Sequence, residues 1–408
     1  MNSTKYLLIG GGLASNEAAK AIRKKDDGEI ILIGAEPHLP YNRPPLSKEF
    51  LRGDKPLEKL FLAPKGYYAE NNIKIFLERS VIGLDLSKKI ASIDDGEEIT
   101  FEKVLIATGG RPVRLNLPGN ELRGMFYLRT INDSLNIQSV VENTKRFVLV
   151  GAGFIGMELA SSLTKLGLEV IVIERGEYIW RRFLDERTAH FFQDYYSHKG
   201  IQFILNDSVI KIVGGTDVKG VELQSGKSIA CDFIGVNIGI IPNVELGRQA
   251  GLKVDDGIWI NEFMQSSHPD VYCAGDVANY PDPNFGKHRR VEHWGHAYYC
   301  GQLAGSNMVA ETAKYDNLTS LWSNVFDLSL SFLGDESDYD HILLRGNYQD
   351  ESFIVLYIKN DVLKAYLGVN ASAKSFAPLR KIILTRQNIK DHIQELQDPN
   401  FDLSHLIE

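Results

Sequence analysis

The sequence predicts an α/β fold made of two parallel-sheet units followed by a smaller α+β region. Three observations predict it. A glycine-rich turn, Gly10-Gly11-Gly12-Leu13-Ala14-Ser15, follows the apolar run Tyr6 to Ile9, and a second, Gly151-Ala152-Gly153-Phe154-Ile155-Gly156, follows Phe147 to Val150. Each apolar run reads as a buried strand and each turn opens a helical pattern. Beyond Tyr315 the periodicity changes to that of strands.

Taken in order, the first unit begins with a strand, a glycine turn, a helix over Glu17 to Lys24 and a strand over Glu29 to Ile33 that ends near Glu36. This β-α-β start returns the chain to a parallel sheet through a right-handed crossover. Pro37 to Ser47 is a proline-rich loop. Lys74 to Phe101 alternates short β-rich runs with turn residues and reads as a small β meander, and Lys103 to Gly109 reads as a separate buried strand. From Arg146 the pattern restarts: strand, turn, helix to Lys165, strand Glu169 to Ile173, helix Asp185 to His198. Val209 to Val213, Val218 to Leu223 and Ile229 to Val236 add further β runs. The two halves read as an internal repeat of one architecture. Asp270 to Ala274 is another apolar strand, a long helix is expected from near Gly295, and Phe353 to Ile358 and Val362 to Val369 are strands ahead of a terminal amphipathic helix.

The bulk composition narrows the possible functions. The chain has 408 residues, 44% hydrophobic and 24% charged, with a formal net charge of -8, so nucleic acid and anionic membranes are unfavourable partners for it as a whole. No apolar run reaches the length of a membrane span, and the N-terminal stretch suits a strand and turn better than a secretory leader, so the expected location is cytoplasmic. Cys231, Cys273 and Cys300 are widely spaced, with no C-x-x-C pair. That argues against a disulfide scaffold, a thiolate metal site or a dithiol relay within the chain.

The two turns carry chemistry because glycine permits a tight bend and the close approach of a pyrophosphate to a helix N-terminus, where unpaired N–H groups and the helix dipole favour negative charge. Two such turns in one chain point to two dinucleotides held so that electrons pass between them. The architecture expected is two Rossmann-like dinucleotide-binding domains plus the C-terminal α+β domain.

Five segments are more specific: Pro40-Tyr41-Asn42-Arg43-Pro44-Pro45-Leu46-Ser47-Lys48, Ala107-Thr108-Gly109, Gly153-Phe154-Ile155-Gly156-Met157-Glu158, Ala274-Gly275-Asp276 and Val291-Glu292-His293-Trp294. Through them, and over essentially its whole length, the sequence resembles the FAD-dependent pyridine-nucleotide oxidoreductases. Within these it is similar to the ferredoxin reductase group, which includes putidaredoxin, rubredoxin and biphenyl dioxygenase reductases and the apoptosis-inducing factors. The resemblance implies a discontinuous FAD-binding domain over 1–112 and 240–316, an NAD(P)-binding domain over 113–239 and an interface domain over 317–408.

It also implies residue roles. Gly10, Gly12, Leu13, Ala14 and Ser15 would meet the FAD pyrophosphate, with Ser15 in place of a third glycine. Glu36 would bind the adenosine ribose, a role its spacing from the turn also suggests. Arg43, Pro45, Lys48, Ala107, Thr108 and Gly109 would line the cofactor, Lys48 near flavin N5. Gly275 and Asp276 would hold the ribityl chain, and Glu292, His293 and Trp294 would pack against the flavin ahead of a helix aimed at its pyrimidine end. Gly151, Gly153, Phe154, Ile155 and Gly156 would receive NAD. Glu174, ending the second strand of that unit, favours NADH over NADPH because a carboxylate accepts a ribose hydroxyl and repels a 2′-phosphate; Arg175, Arg181 and Arg182 are nearby cations. Glu158 would reach the nicotinamide and pair with Lys48, and Phe154 would either cover the flavin or fill helix core.

The resemblance further implies hydride transfer from NADH to FAD and onward transfer to a ferredoxin or rubredoxin-type acceptor. No redox cysteine occurs beside Pro44 to Lys48, so electrons leave the flavin directly. An NADH oxidase using oxygen and a redox-controlled binding protein are the alternatives. Lys287, Arg289 and Arg290 are a basic run in an acidic chain and are the expected docking loop for an acidic acceptor.

Overall fold

The computed structural model describes residues 2–181, 183–310 and 313–407. They form two compact units, Met1–Asn42 with Leu57–Arg111 and Ile241–Thr319, and Arg43–Pro56 with Pro112–Ile240 and Ser320–Glu408.

The first unit is built on a seven-stranded sheet. Its parallel strands are Ile73–Leu77, Ile30–Gly34, Asn2–Ile9 and Glu98–Ile106, with Val271–Cys273 beside the last. Strands buried on both faces carry continuous apolar runs, and Leu7, Leu8, Ile31, Leu32, Leu105 and Ile106 accordingly form the core. Two details differ from the sequence expectation. Ile73–Leu77 pairs in parallel with Ile30–Gly34 and is no part of the meander. Glu98–Ile106 is one strand, antiparallel to Ile90–Ile93 at its start and parallel to Asn2–Ile9 along its length, because both of its edges have partners.

The second unit repeats the pattern. Gln202–Ile204, Glu169–Ile173, Arg146–Val150, Phe233–Val236 and Met125–Phe126 form a five-stranded parallel sheet. The expected single run Ile229 to Val236 divides: Ser228–Ala230 joins an antiparallel three-stranded sheet with Val209–Gly214 and Val218–Leu223, and Phe233–Val236 joins the parallel one. The C-terminal region is a five-stranded antiparallel sheet in the order Ser320–Val325, Leu328–Gly334, Val362–Val369, Ser352–Lys359, His341–Asn347, followed by the helix Phe376–Thr385. Its inner face shares a core with the Glu186–His198 helix, where Phe192, Phe332 and Phe353 are all buried. The α/β class with a C-terminal α+β region is the one predicted. Among the described residues no helix is long and apolar enough to cross a membrane.

Candidate functional site

In the first unit the helix Leu13–Arg23 starts directly at the glycine turn, with Gly12 as its N-cap and no acidic residue in its first turn. Gly10 has φ of +118°, and a Cβ there would lie 2.2 Å from the Ala107 carbonyl oxygen; only glycine fits. At Gly12 a Cβ would meet nothing within 4 Å. Gly10 is therefore packed against the protein, while the space beside Gly12, at the helix N-terminus, is open. Ser15 is buried with an unpartnered Oγ. Glu36 follows the strand Ile30–Gly34 and accepts a hydrogen bond from Tyr41 Oη at 2.5 Å. Thr108 is fixed by a reciprocal pair with Asn243, its Oγ1 donating to the Asn243 carbonyl at 2.8 Å and its own carbonyl accepting from Asn243 Nδ2 at 2.9 Å. Gly109 turns with φ of +63°.

The helix Trp294–Val309 converges on the same turn. A Cβ on Gly301 would lie 2.4 Å from the Ala14 carbonyl oxygen, and one on Gly305 2.4 Å from that of Ala18, so two glycines one turn apart let this helix cross Leu13–Arg23 backbone to backbone. Gly275, with φ of +76°, packs against Ala14 and Ala297, and Asp276 follows it in the 3-10 turn Gly275–Val277. His293 is the N-cap of the second helix. Burial, aided by the Arg289 guanidinium and opposed by Asp276, pushes its imidazole down to about 4; it is neutral at pH 7, and its Nδ1 is buried without a partner. Trp294 is 42% exposed, stacks on Tyr298 and donates from Nε1 to Asn42 Oδ1 at 2.9 Å.

The basic run is a strand rather than a loop: Lys287–Arg290 pairs antiparallel with Ala278–Asp282. Arg289 donates to the fully buried Asp282 at 2.8 Å and to Thr319 at 3.1 Å, and Arg290 pairs with Asp256 and Glu292. Both guanidinium groups are thus committed within the unit, and Lys287 is the exposed cation of the three.

In the second unit Gly151 has φ of +97° and a Cβ there would lie 2.6 Å from the Asn237 carbonyl oxygen; one on Gly156 would lie 2.3 Å from that of Gly151. The first glycine makes the turn and the third lets the helix Phe154–Lys165 approach the strand. Glu174 accepts from Ala152 N and Gly176 N, both at 2.8 Å. Its carboxylate therefore sits on the glycine turn itself. Arg175 and Arg181 are exposed; Arg182 lies outside the described residues. Phe154 packs edge-on against Phe183 and near Trp180, and Ile155 is exposed.

Lys48 and Glu158 meet as expected. Lys48 Nζ lies 2.9 Å from Glu158 Oε1, with side-chain exposures of 12% and 8%. The 3-10 turn Pro44–Ser47, with Pro45 buried, delivers Lys48, and Arg43 donates to the Arg129 carbonyl. Two further donors went unsuspected: Ser47 Oγ to Glu158 Oε2 and Ser323 Oγ to Glu158 Oε1, both at 2.5 Å. Ser47 belongs to the segment 40–48; Ser323 carries no local signal, because an isolated serine in a strand has none.

The family model described as pyridine nucleotide-disulphide oxidoreductase matches residues 4–301, and one described as reductase C-terminal matches 320–407. This chain belongs to the pyridine nucleotide-disulphide oxidoreductases. Among relatives of this oxidoreductase, the rubredoxin-NAD(+) reductase of Ectopseudomonas oleovorans is 33% identical, over 89% of the chain and 95% of the relative. Human apoptosis-inducing factor 3 is 32% identical over 90% of the chain, which spans 61% of that longer protein. The crystal structure of a ferredoxin reductase for the CYP199A2 system from Rhodopseudomonas palustris superposes with a TM-score of 0.95 at 29% identity, covering all of both chains. Although the family is named for disulphide chemistry, the three cysteines of this oxidoreductase are buried and free. Burial pushes the Cys231 thiol up to about 12 and those of Cys273 and Cys300 higher still, so none is a thiolate at neutral pH.

Proposed function

We propose that this protein takes hydride from NADH onto bound FAD and passes the electrons singly to a ferredoxin or rubredoxin-type acceptor. The observation that carries the reading is the pair of glycine turns, each opening a helix with no acid in its first turn and each followed by a carboxylate beyond its second strand, in a chain whose thiols are inert. FAD, when bound, supplies the chemistry, since it accepts two electrons together and releases them one at a time.

The chain's own residues bind and orient. Gly10 and Gly12 seat a pyrophosphate at the first helix N-terminus, Glu36 accepts ribose hydroxyls and Asp276 accepts from a ribityl chain. The Trp294–Val309 helix aims its positive end toward the negative charge that develops on reduction. In the second unit Gly151, Gly153 and Gly156 seat NADH, and Glu174 selects it by accepting the adenosine ribose hydroxyl. The Lys48–Glu158 pair receives the nicotinamide end: Glu158 accepts from polar N–H groups there and the Lys48 ammonium favours electron-rich states. We assign 1–112 and 240–316 to FAD, 113–239 to NADH and 317–408 to the interface domain; the gap between the two family matches supports only the start of the last of these. The need for NADH supports a cytoplasmic setting. Anaerobic NADH should bleach the flavin in a single exponential, and added ferredoxin or rubredoxin should restore it. Restoration by oxygen alone, at a rate no acceptor protein increases, would replace this reading with that of an oxidase.

A further inference from the structure

Glu158 is buried on the Phe154–Lys165 helix, and each of its oxygens is engaged. Oε2 accepts from Ser47 Oγ, and Oε1 accepts from both Lys48 Nζ and Ser323 Oγ. Ser47 is itself anchored, since its carbonyl accepts from Ser162 Oγ at 2.6 Å, one helical turn beyond Glu158. Ser323 comes from the first strand of the C-terminal sheet, 165 residues away in sequence. It is buried, and its hydroxyl donates to the carboxylate of the charged pair.

A lone lysine–glutamate pair has two mobile side chains and gains little from a fixed geometry. Here the two hydroxyls, on separate elements, hold the carboxylate plane, so the resting position of the ammonium follows from that of Glu158. A carboxylate offers about four lone-pair sites; three are filled, which leaves one acceptor site for an incoming N–H donor. We propose that Ser323 is a positioning residue: by fixing Glu158 Oε1 it sets where Lys48 is held, and thereby makes the C-terminal sheet part of the hydride-transfer machinery. This rests on the reading that the Lys48–Glu158 pair receives the nicotinamide.

Two measurements test it in the purified flavoprotein. The first is the rate of Lys48 acylation by acetic anhydride in the absence of NADH, followed by mass spectrometry. The second is single-turnover reduction by NADH. Ser323→Ala should raise Lys48 acylation several-fold and slow reduction about tenfold, the loss expected for one hydrogen bond to a charged group, with half-saturation by NADH unchanged. Ser323→Thr, which keeps the hydroxyl on a strand that tolerates threonine, should restore both. Glu158→Ala should slow reduction, and adding Ser323→Ala to it should cost nothing more, because the two act through one group. Additive losses, failure of threonine to rescue, or unchanged Lys48 acylation would overturn the assignment of Ser323 while leaving the pair's role intact. A Glu158→Ala protein reduced at the wild-type rate would instead remove the pair's role and the proposal with it.

Discussion

Two carboxylate and guanidinium side chains are held by backbone groups rather than by opposite charges. Glu174 accepts from the amides of Ala152 and Gly176, so its carboxylate is fixed at the second glycine turn by two backbone donors. Replacing Glu174 by Gln keeps the shape and removes the charge. The ratio of kcat/KM for NADH over NADPH should fall about tenfold, as expected for loss of one charge-assisted hydrogen bond. Equal wild-type values for the two nucleotides would refute the selectivity assigned to this residue. Arg345 is the converse case. Buried on the His341–Asn347 strand, it donates to the carbonyls of Glu395, Leu396, Asp398, Pro399 and Phe401, and burial pulls its guanidinium below the ordinary value. A lysine cannot span this set of carbonyls, so Arg345→Lys should cost roughly 2–4 kcal/mol in urea unfolding. An unchanged midpoint would show that the C-terminal segment is held by other contacts.

At the scale of elements, the crossing of Leu13–Arg23 by Trp294–Val309 sets how closely the first glycine turn approaches Gly275, the residue before Asp276. That crossing depends on Gly301 and Gly305, where any Cβ would strike backbone of the facing helix. Gly301→Ala should therefore force the helices apart, costing about 1–3 kcal/mol, and lower the FAD content of the purified protein. Gly215→Ala, where a Cβ meets nothing within 4 Å, is the control that should change neither. Retention of full FAD by Gly301→Ala would mean the helix spacing does not set the cofactor site. The strand Lys287–Arg290 carries a related lesson. Its arginines stabilise the unit through Asp282 and Asp256, so charge reversal at Arg289 would leave a buried carboxylate beside a second one.

At the scale of the whole molecule, His296 and His293 contribute to the response to acid. His296 is fully buried against Tyr280 and Tyr315, and burial first, then His293 and Arg289, hold it down to about 3, from an ordinary 6.5. Between those values the unfolded chain binds a proton that the folded chain refuses. Stability from this group is complete above about pH 6.5 and declines as pH falls toward 3, by up to about 1.4 kcal/mol per pH unit. His293 acts in the same direction. His296→Gln should make the unfolding midpoint less dependent on pH over this range by about one proton. An identical slope in the variant would place the acid sensitivity elsewhere.

By itself the sequence determined what depends on neighbours along the chain. The two glycine turns, the strands feeding them and the switch to strands after Tyr315 are local patterns of spacing and apolarity, and each reappears as an element of the fold. Family-specific segments also pointed to the pairing of Lys48 with Glu158. Only the tertiary structure decided the rest, because the rest depends on contacts between residues remote in sequence. It divided the expected run Ile229 to Val236 between two sheets, since each half found a different partner strand. It turned the expected docking loop into a hairpin whose arginines pair with the buried Asp282 and the exposed Asp256 and Glu292. It also brought Ser323 to Glu158, a contact fixed by how the C-terminal sheet packs on the Phe154–Lys165 helix.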